Sequence, residues 1–159
     1  MNMIRNFLFF IFTIFSTYSF SQTQIAGCGN LKGYVYYPYV YPVPKNKSGW
    51  VQDSITGGKS ILVKRQNGQL DILFTDSNSK TPISTLDDGG KVILLGNSFN
   101  RITVLISYET VTEIYTYWKT DDNQLQYSLL QSKSGTVPKS GVLVGTCQFI
   151  NFNFQEIYK

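Results

Sequence analysis

Tyrosine and tryptophan residues crowd one short stretch of the chain. The segment from Gly33 to Pro44 carries five tyrosines, and Trp50 follows shortly after it. Their rings present flat apolar faces with a polar tip, which suits stacking on sugar rings or anchoring of a protein partner. The alternative is a strand up to Tyr37 with tyrosines alternating between core and surface, followed by an extended proline-rich connection. If the segment lies on the surface, the predicted binding residues are Tyr37, Tyr39, Tyr41 and Trp50.

A second aromatic group lies on two consecutive predicted strands. Tyr115, Tyr117 and Trp118 belong to the first of them, and Tyr127 belongs to the next. Tyr115 and Tyr117 share one face while Trp118 lies on the other, so both faces are partly apolar. In a small closed barrel this pattern fits either an interior cavity for an apolar molecule or aromatic packing between strands.

The only two cysteines are Cys28 and Cys147. In an exported protein they would form one disulfide, which closes a loop of about 120 residues and stabilises by up to about 5 kcal/mol in the chain-entropy model. An alternative starts from Ile25-Ala26-Gly27, which resembles a lipobox and would make Cys28 a lipid anchor. Polar residues 21–24 separate it from the apolar run and argue against that reading. A lipidated Cys28 could not pair.

The first residues have the order of a secretory signal peptide. Arg5 precedes an apolar run over residues 7–15, and a short polar segment follows at 16–21. We predict that residues 1–22 are removed and that 23–159 form a single β-rich domain, beginning between Gln22 and Ile25. The apolar run is too short to span a bilayer, and no later segment approaches the roughly 20 residues required. The sequence thus predicts a secreted or periplasmic protein with no transmembrane segment.

The absence of histidine narrows the possible chemistry. It excludes Ser-His-Asp and Cys-His catalysis and histidine-ligated zinc, and two cysteines cannot supply four zinc ligands. We therefore predict no metal and no cofactor, and we favour a protein that is not an enzyme. Lys and Arg exceed Asp and Glu by 14 to 10 but form no stripe, which argues against a nucleic-acid partner.

Carboxylates are the remaining candidates for catalysis. A carboxylate-pair mechanism needs two acids facing each other across a sugar, about 5 to 10 Å apart. The Asp pairs at 87–88 and 121–122 have the composition of hairpin turns. Asp53 is the one acid beside an aromatic residue and a Gly pair, so it fits either a cleft or a turn cap. The other acids considered are Asp71, Asp76, Glu109 and Glu113.

Turn signals recur about every ten residues between runs rich in β-branched and aromatic residues. The clearest hairpin pairs 60–66 with 69–75 through Asn67-Gly68, a dipeptide typical of type I′ turns. About eight to nine short strands with short connections predict one antiparallel meander closed as a small barrel, with a β-sandwich as the alternative. The strand count is similar to that of calycin barrels, an analogy of architecture that transfers no function.

These patterns lead to three functional hypotheses. The main one is an exported binding or interaction module, whose partner is a glycan, a protein or a small apolar ligand. The second is a calycin-like barrel that carries a small apolar ligand, and the weakest is a carboxylate-based carbohydrate-active enzyme. A cavity with an open mouth would favour the carrier, whereas a filled interior would argue against it.

Overall fold

Nine β-strands and one short 3-10 helix make up the regular structure of the described residues. The computed structural model describes residues 22–75 and 81–154, so nearly all of the predicted signal peptide lies outside the described residues. None of the described helices is long and apolar enough to cross a membrane. The 3-10 helix is Lys45–Lys47. The strands are β1 Thr23–Tyr37, β2 Gly49–Lys64, β3 Leu70–Thr75, β4 Ile83–Ser84, β5 Lys91–Ser98, β6 Arg101–Ser107, β7 Val111–Lys119, β8 Leu125–Lys133 and β9 Lys139–Ile150.

The strands form a single antiparallel sheet in the order β4-β3-β2-β1-β9-β8-β7-β6-β5. Each strand pairs with the next one along the chain except β4 with β5, and β9 returns to pair with β1. The predicted all-β meander is confirmed, including the pairing of its first and last strands. Short connections favour this order because antiparallel neighbours need only a tight turn between them.

The sheet curls into an open half-barrel, which is compatible with the predicted barrel but is less closed than the sequence predicted. In the described part of the chain, no ladder joins β4 to β5. β4 has only two residues, and the segment after it bonds elsewhere: the Thr85 N–H donates to the Ile72 carbonyl of β3, and the Gly90 N–H donates to the Thr85 carbonyl. These backbone groups are hydrogen-bonded to β3 and within their own turn, so they do not pair with β5. The gap between β4 and β5, here called the seam, therefore stays open.

The predicted disulfide is present between Cys28 and Cys147. The two residues face each other across the β1–β9 ladder, so the bond joins the strands that complete the curl of the sheet. With its sulfur bonded to Cys147, Cys28 has no thiol to carry a lipid. The disulfide is consistent with an extracellular or otherwise oxidising compartment.

Glycines and bulges allow the sheet to curl tightly where β1 meets β9. A Cβ atom at Gly33 would collide with the Val142 carbonyl oxygen, so only glycine permits this approach of the two backbones. The β1–β2 ladder also shifts register between Gly29 and Leu31, and the β1–β9 ladder shifts between Gly29 and Lys32; a bulge bends the strand that carries it. Strand curvature of this kind turns one face of the sheet inward.

The concave face forms the hydrophobic core, and residues 151–154 cover one end of it. Phe154 is 3% exposed and packs in the core cluster. The Asn151 N–H donates to the Ile25 carbonyl at 2.7 Å, and the Asn97 amide donates to the Phe152 carbonyl at 3.2 Å. The fully buried aliphatic side chains of this core include Val35, Leu62, Ile72, Ile102, Val104 and Leu143.

The β2–β3 hairpin forms at the predicted place, but the predicted type I′ turn is wrong. A type I′ turn needs a positive φ at both central residues, and only Gly68 has one, at 83°. The Gly68 N–H donates to the Arg65 carbonyl, and the Arg65 N–H donates to the Gln69 carbonyl. This is a three-residue loop with a left-handed glycine. The Asn67 side chain stabilises it by accepting the Gln69 N–H at 3.0 Å.

We expect Gly68→Val to destabilise the protein by about 1 to 2 kcal/mol, since a β-branched residue resists the left-handed conformation. A Cβ atom at this position would meet no atom within 4 Å, so backbone strain alone would cause the loss. Thermal unfolding measures it. Gly96→Val is the control, because Gly96 also has open space around it but no positive φ. Equal midpoints for the two variants would contradict the prediction.

Candidate ligand cavity on the concave face

An accessible cavity of about 430 Å³ lies within the half-barrel. Side chains of β1, β2 and β3 line one side, those of β6, β7 and β8 line the other, and Thr85 and Asp88 contribute from the segment after β4. This volume is typical of sites for small molecules. The apolar part of the lining consists of Leu31, Ile55, Phe74, Ile106, Val111 and Leu129.

Strand register determines which side chains of β7 and β8 lie opposite each other around the cavity. Alternate residues of each strand point inward, and antiparallel pairing places them opposite each other. The opposed inward pairs are Glu113 with Gln131, Tyr115 with Leu129, and Tyr117 with Tyr127. The wall therefore changes along the strands from a charged and polar end at Glu113 and Gln131 to Tyr115 and Leu129, and of the last pair only Tyr127 belongs to the lining.

An ion pair occupies the polar end of the cavity. The Lys133 ammonium lies 3.3 Å from one carboxylate oxygen of Glu113, and the Tyr115 hydroxyl donates to the other at 3.1 Å. Burial raises the pKa of Tyr115 well above its ordinary value, and the Glu113 charge raises it further. Tyr115 is thus a neutral hydrogen-bond donor, and the charges of Glu113 and Lys133 offset each other.

The rings of three tyrosines form one packed cluster on the concave face. Tyr115, Tyr117 and Tyr127 are nearly parallel, with ring centroids 5.9 to 6.5 Å apart. Gly145 faces this cluster, and a Cβ atom there would lie 2.5 Å from the Tyr127 ring. The sequence left a cavity and aromatic packing between strands as alternatives; here the rings pack across β7 and β8, and Tyr115 and Tyr127 also line the cavity.

Ser60 contributes an unsatisfied polar group to the lining. It is 6% exposed, and its hydroxyl oxygen is buried without a hydrogen-bond partner. The Tyr117 hydroxyl is likewise buried and unpartnered. Burial raises the Tyr117 pKa and the nearby Ser60 hydroxyl partly offsets this rise, yet the two groups do not form a hydrogen bond in the structure. Buried polar groups almost always have a partner, so Ser60 requires an explanation.

The four predicted binding residues of the aromatic segment lie away from the cavity lining. Tyr39, Tyr41 and Trp50 are 66%, 97% and 68% exposed, while Tyr37 is half-buried with the Lys139 ammonium 6.0 Å from its ring centre. Trp50 contacts Tyr36 across the β1–β2 ladder, with ring centroids 5.5 Å apart. The exposure that the surface interpretation required is present for three of the four residues. Binding by them stays a prediction.

Most of the candidate acids have structural partners. Asp53 accepts the Ser54 N–H and lies 3.7 Å from Lys139, and Asp71 is buried in a network with Arg65. Asp121 and Asp122 occupy a turn that continues into Asn123 at a φ of 63°, as their composition predicted. Asp76 lies outside the described residues. Within 22–75 and 81–154, no group of three or more Cys, Asp or Glu residues could hold a metal ion.

Sequence reasoning missed Ser60, Gln131 and Lys133 as cavity residues. These side chains come from different strands, and only the register of the folded sheet brings them to one cavity. Alternation along each strand indicates which residues share a face, but it does not say which strands lie across the half-barrel from one another.

Comparison with known proteins finds no family model, no curated protein and no solved structure that matches this chain.

Proposed function

We propose that this protein is an exported carrier of a small, largely apolar molecule, which it holds in the concave cavity. The observation that supports the proposal is an accessible cavity of about 430 Å³ with a largely apolar lining, inside a half-barrel whose first and last strands are joined by a disulfide. Such an interior favours binding of an apolar ligand, because both the ligand and the cavity wall then remove apolar surface from water. An oxidising compartment, secreted or periplasmic, accords with the disulfide.

A fluorescent titration tests this proposal directly. We expect N-phenyl-1-naphthylamine, a neutral apolar dye, to bind the mature chain with micromolar affinity and enhanced emission. Ile55 lines the cavity and is 41% exposed, so Ile55→Trp adds bulk at the opening without overfilling the core. This variant should bind the dye at least tenfold more weakly, a difference of about 1.4 kcal/mol.

The matched control is Ile93→Trp on β5. Ile93 is similarly exposed, at 46%, but it is not part of the cavity lining. Its dye affinity should equal that of the unmodified protein. Dye binding that is absent, or that responds equally to both variants, would contradict a ligand in the cavity. Mass spectrometry of solvent extracts from protein purified from its own host would identify the natural ligand.

The exposed aromatic segment supports a second candidate function, recognition of a glycan or protein partner. Tyr39, Tyr41 and Trp50 are each exposed, and aromatic residues of this kind are enriched at recognition sites. A ligand bound there would be insensitive to Ile55→Trp, which distinguishes the two candidates. A carbohydrate-active enzyme has less support, because both oxygens of the half-buried cavity acid, Glu113, are already engaged.

A further inference from the structure

We propose that the ligand is electrically neutral and carries a hydroxyl or carbonyl group that hydrogen-bonds to Ser60. This inference rests on the proposed carrier function and adds the chemical class of the ligand. It starts from two properties of the lining: its charged side chains offset each other, and it contains a buried neutral hydroxyl, that of Ser60, without a hydrogen-bond partner.

The charges around the cavity include both signs and leave no buried charge unpaired. Glu113 and Lys133 bond to each other, with the Glu113 side chain only 13% exposed. The other two charged lining residues, Lys59 and Asp88, are exposed and of opposite sign. A charged ligand would lose its hydration and find its natural counterion already paired, which is unfavourable in an apolar cavity.

Three neutral polar side chains of the lining are suited to bind a ligand. Ser60 is buried without a hydrogen-bond partner, and Tyr127 and Gln131 also line the cavity. Burial raises the pKa of Tyr127, so its hydroxyl stays protonated at neutral pH. Together these side chains offer hydroxyl and amide groups that can both donate and accept. Hydroxyl and carbonyl groups of a ligand complement them.

Ser60 is the member of this set that discriminates most strongly between ligands. A buried hydroxyl without a partner is costly, whereas a hydrogen bond to a ligand removes that cost. A ligand of the same shape without a polar group would leave the Ser60 hydroxyl without a hydrogen bond and would therefore bind with a less favourable free energy. A serine hydroxyl has one donor and two acceptor positions, so a ligand bond still leaves an acceptor for the nearby Tyr117.

Three compounds with the same bicyclic body separate the possibilities. We would displace N-phenyl-1-naphthylamine from the mature protein with 2-naphthol, 2-methylnaphthalene and the anion 2-naphthoate at neutral pH. We expect 2-naphthol to compete about fivefold better than 2-methylnaphthalene and about tenfold better than 2-naphthoate. In Ser60→Ala the advantage of 2-naphthol over 2-methylnaphthalene should fall to within about twofold.

Ser128→Ala is the matched control for this experiment. Ser128 is also 6% exposed, but it does not line the cavity, so its variant should retain the full preference for 2-naphthol. Ser60→Ala removes an unsatisfied group and should fold with an unchanged or higher unfolding midpoint. Unchanged binding of 2-methylnaphthalene by Ser60→Ala would show that the cavity itself is intact.

Each other outcome has a definite meaning. A preference for 2-naphthol that survives Ser60→Ala would overturn the Ser60 assignment, and equal competition by all three compounds would overturn both that assignment and the neutral charge of the ligand. Either outcome would leave the carrier function standing. If 2-naphthoate competed most strongly, the proposal that the ligand is neutral would be wrong, and an anionic ligand held by Lys133 would be indicated. Failure of the dye itself to bind would overturn the carrier function as well.

Discussion

Replacing both cysteines, as Cys28→Ala with Cys147→Ala, is expected to lower the free energy of unfolding by about 4 kcal/mol. The two residues are 119 positions apart, so the disulfide restricts nearly the whole described chain in the unfolded state. In the folded state it joins the first strand to the last, the pairing that completes the curl of the sheet. A loss of this size is a large fraction of the stability of a domain of this length.

Denaturant unfolding of the mature protein measures the loss. The described residues contain no free cysteine, so a reductant acts on this bond alone, and the reduced protein should unfold at the same midpoint as the double variant. Intact mass before and after reduction and alkylation checks the bond itself and shows whether the chain begins between Gln22 and Ile25. A midpoint that does not respond to reductant, or a lipid on Cys28, would contradict the prediction.

The strands and the disulfide could be predicted from sequence because both depend on local or compositional signals. Alternation along Leu70, Ile72 and Phe74 indicates a half-buried strand wherever its neighbours lie. Two cysteines in an exported chain permit only one intramolecular pairing. Short connections then limit the topology to a meander, and pairing of its ends follows from the disulfide.

The open seam and the turn type depended on interactions that the sequence does not display. Asn67-Gly68 is compatible with more than one hairpin loop, and the hydrogen bond from the Gln69 N–H to the Asn67 side chain favours the three-residue form. At the seam, Thr85 bonds to β3 instead of extending β4 towards β5. Such choices between competing hydrogen-bond partners arise only in the folded sheet, which is why the sequence predicted a more complete closure of the barrel than the structure has.

The residues that line the cavity could not be predicted from composition either. The aromatic segment is the most conspicuous feature by composition, yet the cavity is lined mainly by residues that are inconspicuous in sequence, such as Ser60 and Gln131. Composition identifies residue types suited to binding. The curvature of the sheet decides which side chains surround a shared space, and that curvature depends on glycine approaches such as Gly33 against β9.

Asp71→Asn is expected to lower the free energy of unfolding by about 3 kcal/mol, the second large effect. The Asp71 side chain is completely buried, and one of its oxygens accepts two N–H bonds from Arg65, at 3.0 and 2.7 Å, together with the Ser84 hydroxyl at 2.8 Å. Its other oxygen accepts the Leu86 N–H at 3.2 Å. The carboxylate thus fastens the segment after β4 to the β2–β3 hairpin. Asparagine preserves the shape but removes the charge and one acceptor, so among the described residues the Arg65 guanidinium keeps only its ion pair with the exposed Asp87, at 2.9 Å.

Thermal and denaturant unfolding should show this loss as a fall in midpoint on the order of 10 °C. Asp53→Asn is the control, since the Asp53–Lys139 pair is wider at 3.7 Å and partly exposed, and it should cost less than about 1 kcal/mol. Combining Asp71→Leu with Arg65→Met should recover much of the stability lost by Asp71→Asn, because replacing both partners leaves no buried charge uncompensated. If Asp71→Asn and Asp53→Asn lowered the free energy of unfolding by the same small amount, the hydrogen bonds of Asp71 would not be what holds the segment after β4 against β3.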